Sequence, residues 1–173
     1  KDDIYHQIPH FIFPIFGLFL TTTPRLLILL SNHQKIFDKV IAEVKQNEIT
    51  NLPYLRKCIM ETVRLNAPVI SLFRTLEKDL QLNKRYFKKG TQLLLLTNPV
   101  LRQPEHFNDA YKFVPERWNE ELEKEYYAIS FSQGPQKCPG KELAIFLVQS
   151  FIYNLIKVKE IGTKNRLISN KTV

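Results

Sequence analysis

Phe131-Ser132-Gln133-Gly134-Pro135-Gln136-Lys137-Cys138-Pro139-Gly140 is the stretch that decides the fold, because it sets a cysteine directly before an apolar helical run. The helix is predicted over Pro139–Val158, since proline suits a first helical turn. A thiolate at its start is stabilised by the unpaired amides and the positive end of the helix dipole. Gly134 can adopt a positive φ, and Gly140 lets the backbone approach a flat ligand closely. A lone cysteine in this position is more often a small buried side chain, so the rest of the chain has to decide.

Two charged motifs precede this stretch. Glu61-Thr62-Val63-Arg64 lies on a helix predicted over 52–66, where three-residue spacing puts the acid and the base on one face. Taken alone, such a pair is a surface ion pair worth about 0.2–0.5 kcal/mol. Pro115-Glu116-Arg117-Trp118 lies in the segment 98–135, which is rich in prolines and aromatic residues and is predicted to be irregular. So long a connection is usually functional.

The three motifs, in this order, resemble those of the cytochrome P450 family. The ligand loop of that family carries Phe, Gly, Cys and Gly at the spacing of Phe131, Gly134, Cys138 and Gly140. The resemblance implies that these four residues form a haem-binding site for heme b. It also implies that Cys138 is the metal ligand, an axial thiolate on the iron.

The same resemblance implies roles for five charged residues. It implies that Glu61, Arg64 and Arg117 are structural and form a buried network, in which the charges have to satisfy one another. Arg74 and Arg102 match arginines that bind the haem propionates. For either arginine alone, an exposed charge on a strand or loop is an equally good interpretation.

The chain departs from the family pattern at two places. Gln136 stands where the family usually has an arginine that pairs with a propionate, and Lys137 or Lys141 could compensate only as point charges. The resemblance implies a catalytic role for Thr21 in proton delivery, yet Leu20 holds the place of the acid that usually precedes it. A competing account is that the threonines bond back to their own helix.

The pattern predicts a mainly α (α+β) fold, the C-terminal part of a cytochrome P450-like fold with a small antiparallel β-sheet, in a single domain over 1–173. The expected elements, besides those above, are an apolar helix from Phe11 that Pro24 kinks, an amphipathic helix over Gln34–Gln46, and strands at Ile70–Phe73 and Gln92–Thr97 around a turn at Asn83-Lys84. The last helix is expected to pack through a stripe of Leu143, Phe146, Leu147, Ser150, Phe151 and Leu155. The C-terminal hairpin after Val158 is expected to be shortened.

Composition and charge indicate which partners and which cellular compartment to expect. The chain has 173 residues, of which 44% are hydrophobic, and a net charge of +8. Its basic residues are scattered, so acidic partners or an anionic membrane surface are expected but no nucleic acid. The two cysteines, Cys58 and Cys138, are predicted to be free thiols in a reducing compartment. No secretory signal is recognised, so the predicted location is intracellular, either cytoplasmic or membrane-associated.

The apolar run Phe11–Leu20 is the one candidate for membrane association. Ten residues are too few to span a bilayer, which needs about 20. A buried core helix or a re-entrant segment is therefore predicted.

The resemblance implies a haem-thiolate monooxygenase that inserts one oxygen atom from O₂ into a small apolar organic substrate. Its electrons would come from a redox partner, a reductase or ferredoxin. One alternative is a non-catalytic or vestigial haem-binding module, and another is a membrane-surface or partner-binding helical protein without haem. Because the helices that wall the family's substrate pocket have no counterpart in this sequence, the isolated chain is expected to be poorly soluble or haem-leaky and to show no turnover.

Overall fold

The structure is a computed structural model that describes residues 3–158, except for the side chains of Asp3, Ile4, His6 and Phe11. The predicted shortened hairpin after Val158 lies outside these residues. The described α-helices are α1 (Asp3–Asn32), α2 (Gln34–Gln46), α3 (Pro53–Leu65), α4 (Thr97–Leu101), α5 (Glu120–Lys124) and α6 (Lys141–Val158). The described strands are β1 (Ser71–Thr75), β2 (Leu80–Leu82), β3 (Arg85–Phe87) and β4 (Gln92–Leu96). The predicted mainly α fold with a small antiparallel sheet is confirmed.

Helix α3 is the centre of the core. The predicted apolar face of this helix is buried, and every residue from Cys58 to Leu65 is buried as well. It contacts α1, α2 and α6. Fully burying an aliphatic side chain stabilises the fold by about 1.5–3 kcal/mol, so α3 has the largest share in holding the other helices together.

The N-terminus of α3 is capped by a carboxylate from α2. Glu43 accepts hydrogen bonds from the backbone N–H groups of Tyr54 at 2.7 Å and Leu55 at 2.8 Å. Pro53 lies in the first turn of the helix. The negative charge also complements the positive end of the helix.

Helix α1 is longer and more exposed than predicted. It runs without interruption through three prolines, Pro9, Pro14 and Pro24. Its C-terminal half packs into the core, but the predicted burial of the Phe11–Leu20 run is wrong where the structure describes it, because Phe13 is 77% and Leu20 62% exposed. No described element covers this face.

The length and composition of α1 also bear on the membrane. The helical segment Gln7–Asn32 is long and apolar enough to cross a bilayer, and its most apolar window is 17% buried. In the sequence, Arg25 and two prolines interrupt the longer run to Leu30 and argue against a span, but the helix continues past Pro24 and Arg25. The buried Leu26 and Leu30 nevertheless tie its last turns to the core.

The β-structure consists of two antiparallel pairs. β1 pairs with β4 in a register that sets Ser71 opposite Leu96. β2 and β3 form a hairpin. Its turn is at Asn83 and Lys84, both with positive φ, as hairpin turns of two residues require.

Helix α6 packs through a different face from the one predicted. Its buried residues are Ala144, Ile145, Val148, Ile152 and Ile156. The predicted stripe is wrong, since Leu143, Phe146 and Phe151 are exposed. The helix is apolar on nearly every side, so periodicity alone cannot choose the buried face. A hydrogen bond of 2.9 Å from the Gln149 side chain to the carbonyl of Leu52 contributes to fixing its rotation.

Candidate functional site

The loop that carries Cys138 is built from two single turns of 3₁₀-helix, Ile129–Phe131 and Gly134–Gln136. The backbone N–H of Cys138 donates to the carbonyl of Phe131 at 2.8 Å, which closes the loop. Gly134 has φ +69°, a conformation that side chains other than glycine strain to adopt. The loop therefore needs its first glycine for backbone geometry.

A glutamine that sequence reasoning missed fixes this loop to the preceding chain. The side-chain amide of Gln133 donates to the carbonyls of Glu123 at 2.9 Å and Glu125 at 3.1 Å. Side-chain bonds to main-chain carbonyls leave no pattern in a sequence. The only available signal was the position of Gln133 inside the loop motif.

Cys138 faces a cavity of about 470 Å³ between α1 and the loop. The α1 wall includes Gly17 and Thr21, and the loop wall includes Phe131 and Cys138. Further lining comes from the turn before β1 and from its first residues, namely Pro68, Val69 and Leu72. The volume is typical of cofactor and small-molecule sites, which take about 300–1,000 Å³.

The structure therefore brings three of the predicted site residues to one cavity and leaves others outside it. Thr21, Phe131 and Cys138 line it, whereas Arg74 and Arg102 do not.

Both arginines are engaged with the backbone instead. Arg74 donates to the carbonyl of Phe73 at 2.8 Å. Arg102 donates to the carbonyl of Leu65, and its buried Nε has no partner.

The Thr21 hydroxyl bonds back to its own helix. It donates to the carbonyl of Gly17 at 2.7 Å. This is the pattern of threonines that satisfy their hydroxyl within a helix. Leu20, at the position where an acid was sought, is largely exposed and is not part of the cavity lining.

The cavity fits the expected haem in its thiol and in its apolar walls. A Cβ atom added to Gly140 would lie 4.0 Å from the Sγ of Cys138, an ordinary van der Waals contact, so the thiol itself does not require a glycine here. The fit is poorer for the carboxylates of a haem, because no charged side chain is among the described residues that line the cavity.

Behind the site, the predicted charge network is present and saturated. Arg64 and Glu61 are both fully buried. Arg64 donates twice to the Glu61 carboxylate at 2.8 Å and also to the carbonyls of Leu101 and Ala110 at 2.7 Å and of Lys112 at 3.2 Å. All five N–H groups of the guanidinium are thereby satisfied.

Three further N–H groups donate hydrogen bonds to the Glu61 carboxylate. Arg117 Nε donates at 3.0 Å, Trp118 Nε1 at 2.8 Å and the backbone N–H of Val114 at 3.1 Å. Trp118 and Val114 were not anticipated, although Trp118 directly follows the predicted Arg117. The network joins α3 to the irregular segment before α5.

On its other side, the Cys138 loop borders a second cavity of about 630 Å³, which is lined by charged side chains. Glu123 accepts from Lys141 at 2.6 Å and from Arg56 at 3.1 Å, and Arg56 also pairs with Glu142 at 2.6 Å. Burial raises the pKa of the Glu123 carboxyl, but these cations outweigh it and hold the pKa below its usual value. The cluster fastens the start of α6 to α3 and α5.

The second cysteine has a different environment. Cys58 is fully buried within α3, and burial strongly raises the pKa of its thiol. Because the thiolate is the nucleophile and the metal ligand, Cys58 is chemically inert in the folded chain. Both cysteines are free thiols, and Cys138 is the one that borders the two cavities.

Comparisons with known proteins agree with this geometry. The cytochrome P450 family model matches residues 19–160. Cytochrome P450 4ae1 of Drosophila melanogaster is 31% identical over 146 residues, which cover 76% of this chain and 29% of that protein. Probable cytochrome P450 4d21 of the same species is 30% identical over 175 residues, which cover 92% of this chain and 34% of that protein.

A relative from a mammal is similar to the same degree. The mitochondrial 1,25-dihydroxyvitamin D(3) 24-hydroxylase of Mus musculus is 32% identical over 127 residues, covering 66% of this chain and 25% of that protein. The chain thus spans between about a quarter and a third of the length of these relatives. With the family match extending over most of its residues, this chain belongs to the cytochrome P450 family, whose members are haem-containing oxidoreductases of the monooxygenase type.

Proposed function

We propose that this chain carries the haem-thiolate part of a monooxygenase, with Cys138 as the axial ligand of heme b. One observation carries the proposal: the Cys138 thiol lies on the wall of a largely apolar cavity, in a loop closed by its own N–H and by the positive φ of Gly134. When bound, a haem with a thiolate ligand supplies oxygen activation that favours O–O cleavage.

The residues of this chain act by holding and orienting. Phe131 lines the cavity together with Cys138, and the hydrogen bond from the Cys138 N–H to the Phe131 carbonyl holds the loop closed. The network of Glu61, Arg64 and Arg117 fixes α3 and the segment before α5, on which the loop rests. The same proposal takes residues 1–173 as a single domain.

The substrate and the electron source follow from the same cavity and family. An apolar wall made by Leu18, Val69 and Leu72 suits a small apolar organic substrate. Electrons are proposed to come from a reductase or ferredoxin, as the family's chemistry requires. An intracellular location is proposed, with membrane contact through the exposed N-terminal half of α1.

The ligand assignment is tested by spectroscopy on the full chain expressed with haem available. The reduced, CO-bound protein should show a thiolate-type spectrum, and Cys138→Ala should abolish it. The matched control is Cys58→Ala, which should keep the spectrum because Cys58 is buried in α3 away from both cavities. A Cys138→Ala protein that retains the thiolate-type spectrum would refute the assignment.

A second candidate function is haem binding without oxygen activation. It is favoured by the Thr21 hydroxyl, which is already bonded to Gly17, and by Leu20 in place of an acid. Among the described residues that line the cavity, none has a carboxylate that could pass on a proton. The discriminating measurement is reductant consumption and product formation by haem-loaded protein with a competent reductase. Hydroxylated product formed in step with NADPH use supports the monooxygenase, and spectral binding without product supports the second candidate.

A further inference from the structure

The described residues that line the cavity between α1 and the Cys138 loop carry no charged side chain. The polar lining side chains of this cavity, other than the thiol, are Thr21, Thr97, Ser130, Ser132 and Gln136. The hydroxyls of Thr21 and Thr97 are committed to the carbonyls of Gly17 and Val69.

Two of the remaining groups are suited to meet a ligand. The Ser130 hydroxyl oxygen is buried and has no hydrogen-bond partner among the described residues. The Gln136 side chain is exposed at the rim. An unpaired buried hydroxyl costs about 1–3 kcal/mol, so a turn of the Ser130 side chain that brings its hydroxyl to a ligand in the cavity recovers part of this loss.

The basic residues near this edge of the fold are directed elsewhere. Arg74 and Arg102 donate to backbone carbonyls and do not line the cavity. Lys137 and Lys141 line the cavity on the other side of the loop, and Lys141 is paired with Glu123. None of these four cations therefore lines the apolar cavity between α1 and the Cys138 loop.

A carboxylate removed from water needs an opposite charge or several donors, and charge-assisted bonds are roughly twice as strong as neutral ones. We propose that Ser130 and Gln136 determine cofactor selectivity by binding the polar edge of the macrocycle through neutral hydrogen bonds. The site then gains little from the two carboxylates of heme b over a neutral edge. This inference rests on the proposed function, because it takes a haem as the occupant of the cavity.

The test compares two probes on the full apoprotein, iron protoporphyrin IX and its dimethyl ester, added from the same solvent stock. Dissociation constants are measured by spectral titration at low and high salt. The parent chain should bind the acid and the ester within about threefold of each other, with little dependence on salt, because no ion pair is formed. An acid that binds more than about tenfold more tightly than the ester, with an affinity that falls with salt, would overturn the inference.

Variants at the two residues sharpen the comparison. Gln136→Arg should tighten binding of the acid about tenfold, leave the ester unchanged and introduce salt dependence. Gln136→Met, of similar size, is the control and should show none of these effects. Ser130→Ala should weaken both probes several-fold while the apoprotein melts no lower, because the change removes a buried group that has no partner. A lower melting temperature with unchanged affinity would assign Ser130 a structural role and overturn its part of the inference.

The same titration separates this inference from the proposed function. If neither probe gives a thiolate-type spectrum with the parent chain, the proposed function fails and the inference falls with it. If the spectrum appears and the acid is strongly preferred, the thiolate assignment stands and only the neutral rim is refuted.

Discussion

The network around Glu61 and the apolar cavity lined by Cys138 differ in whether their buried polar groups have hydrogen-bond partners. In the network, every N–H of Arg64 has an acceptor, and the Glu61 carboxylate accepts from four residues. Beside the cavity, the hydroxyl of Ser130 is buried with no partner in the part of the chain that the structure describes. In the network, the chain itself supplies the hydrogen-bond partners. The cavity retains an unpaired group that a ligand can satisfy, which is what separates a folding motif from a binding site.

The largest expected effect comes from breaking the network. Glu61→Gln leaves the guanidinium groups of Arg64 and Arg117 without their counter-charge in a buried site. Removing one partner of a buried pair costs about 3–5 kcal/mol, so the free energy of unfolding should fall by that amount. Urea denaturation of the apoprotein, followed by circular dichroism, measures it.

An exposed ion pair provides the matched control. Asp109 pairs with Lys112 at 2.9 Å, and both side chains are more than half exposed. Asp109→Asn should therefore lower stability far less than Glu61→Gln, and asparagine tolerates the positive φ at this position. Equal losses for the Glu61 and Asp109 variants would show that the Glu61 network contributes no more than a surface pair.

The next effect concerns the turn of the ligand loop. Gly134→Ala places a side chain at φ +69°, which should cost about 1 kcal/mol or more although no other atom lies within 4 Å of the added carbon. Gly134→Asn should cost less, because asparagine adopts this conformation more readily. Thermal melting and haem retention measure both variants. If alanine and asparagine behave alike, backbone strain is not what selects this glycine.

Sequence reasoning worked best where a short motif has a fixed spacing. Glu61 and Arg64 are three positions apart on a helix, so their proximity follows from helical geometry. That Arg117 joins them depended on the family resemblance, since a contact over more than fifty residues leaves no local pattern.

It failed where tertiary contacts choose among similar options. The buried face of α6 could not be chosen because nearly all its faces are apolar, and Leu143 and Phe146 turn out exposed. The capping of α3 by the Glu43 carboxylate was not predicted, because it joins two separate helices. The anchoring of the loop by Gln133 was missed for the same reason: side-chain to backbone bonds between separate segments have no sequence signature.

A smaller, pH-dependent effect on stability is expected from the charged cluster around Glu123. Since Lys141 and Arg56 hold the pKa of Glu123 below its usual 4.5, the ionised carboxylate stabilises the fold above that pH. This contribution is lost as the pH falls through the lowered pKa of the folded state. Glu123→Gln should therefore be less stable than the parent at pH 7, by about 1 kcal/mol or less, and the difference should shrink below about pH 4.5.

Denaturation of the two proteins between pH 7 and pH 4 measures this difference. Glu121→Gln is the control, because Glu121 is exposed and forms no part of the cluster. At pH 7, Glu121→Gln should be closer in stability to the parent than Glu123→Gln is. A Glu123→Gln deficit that stays constant over the whole range would mean that the ion pairs are not its cause.

The smallest expected effect contrasts Gly17, which lines the cavity, with Gly90, which lies between β3 and β4. Gly17 lies inside α1 with open space around it, so Gly17→Ala should raise the stability of the apoprotein by about 0.5–1 kcal/mol through better helix propensity. Gly90 has equally open surroundings but φ +87°, so Gly90→Ala should lower stability. Because Gly17 also lines the cavity, its added methyl group should weaken haem binding several-fold while the apoprotein becomes more stable. A gain in stability with unchanged haem affinity would place the α1 wall farther from the bound ring than the cavity indicates.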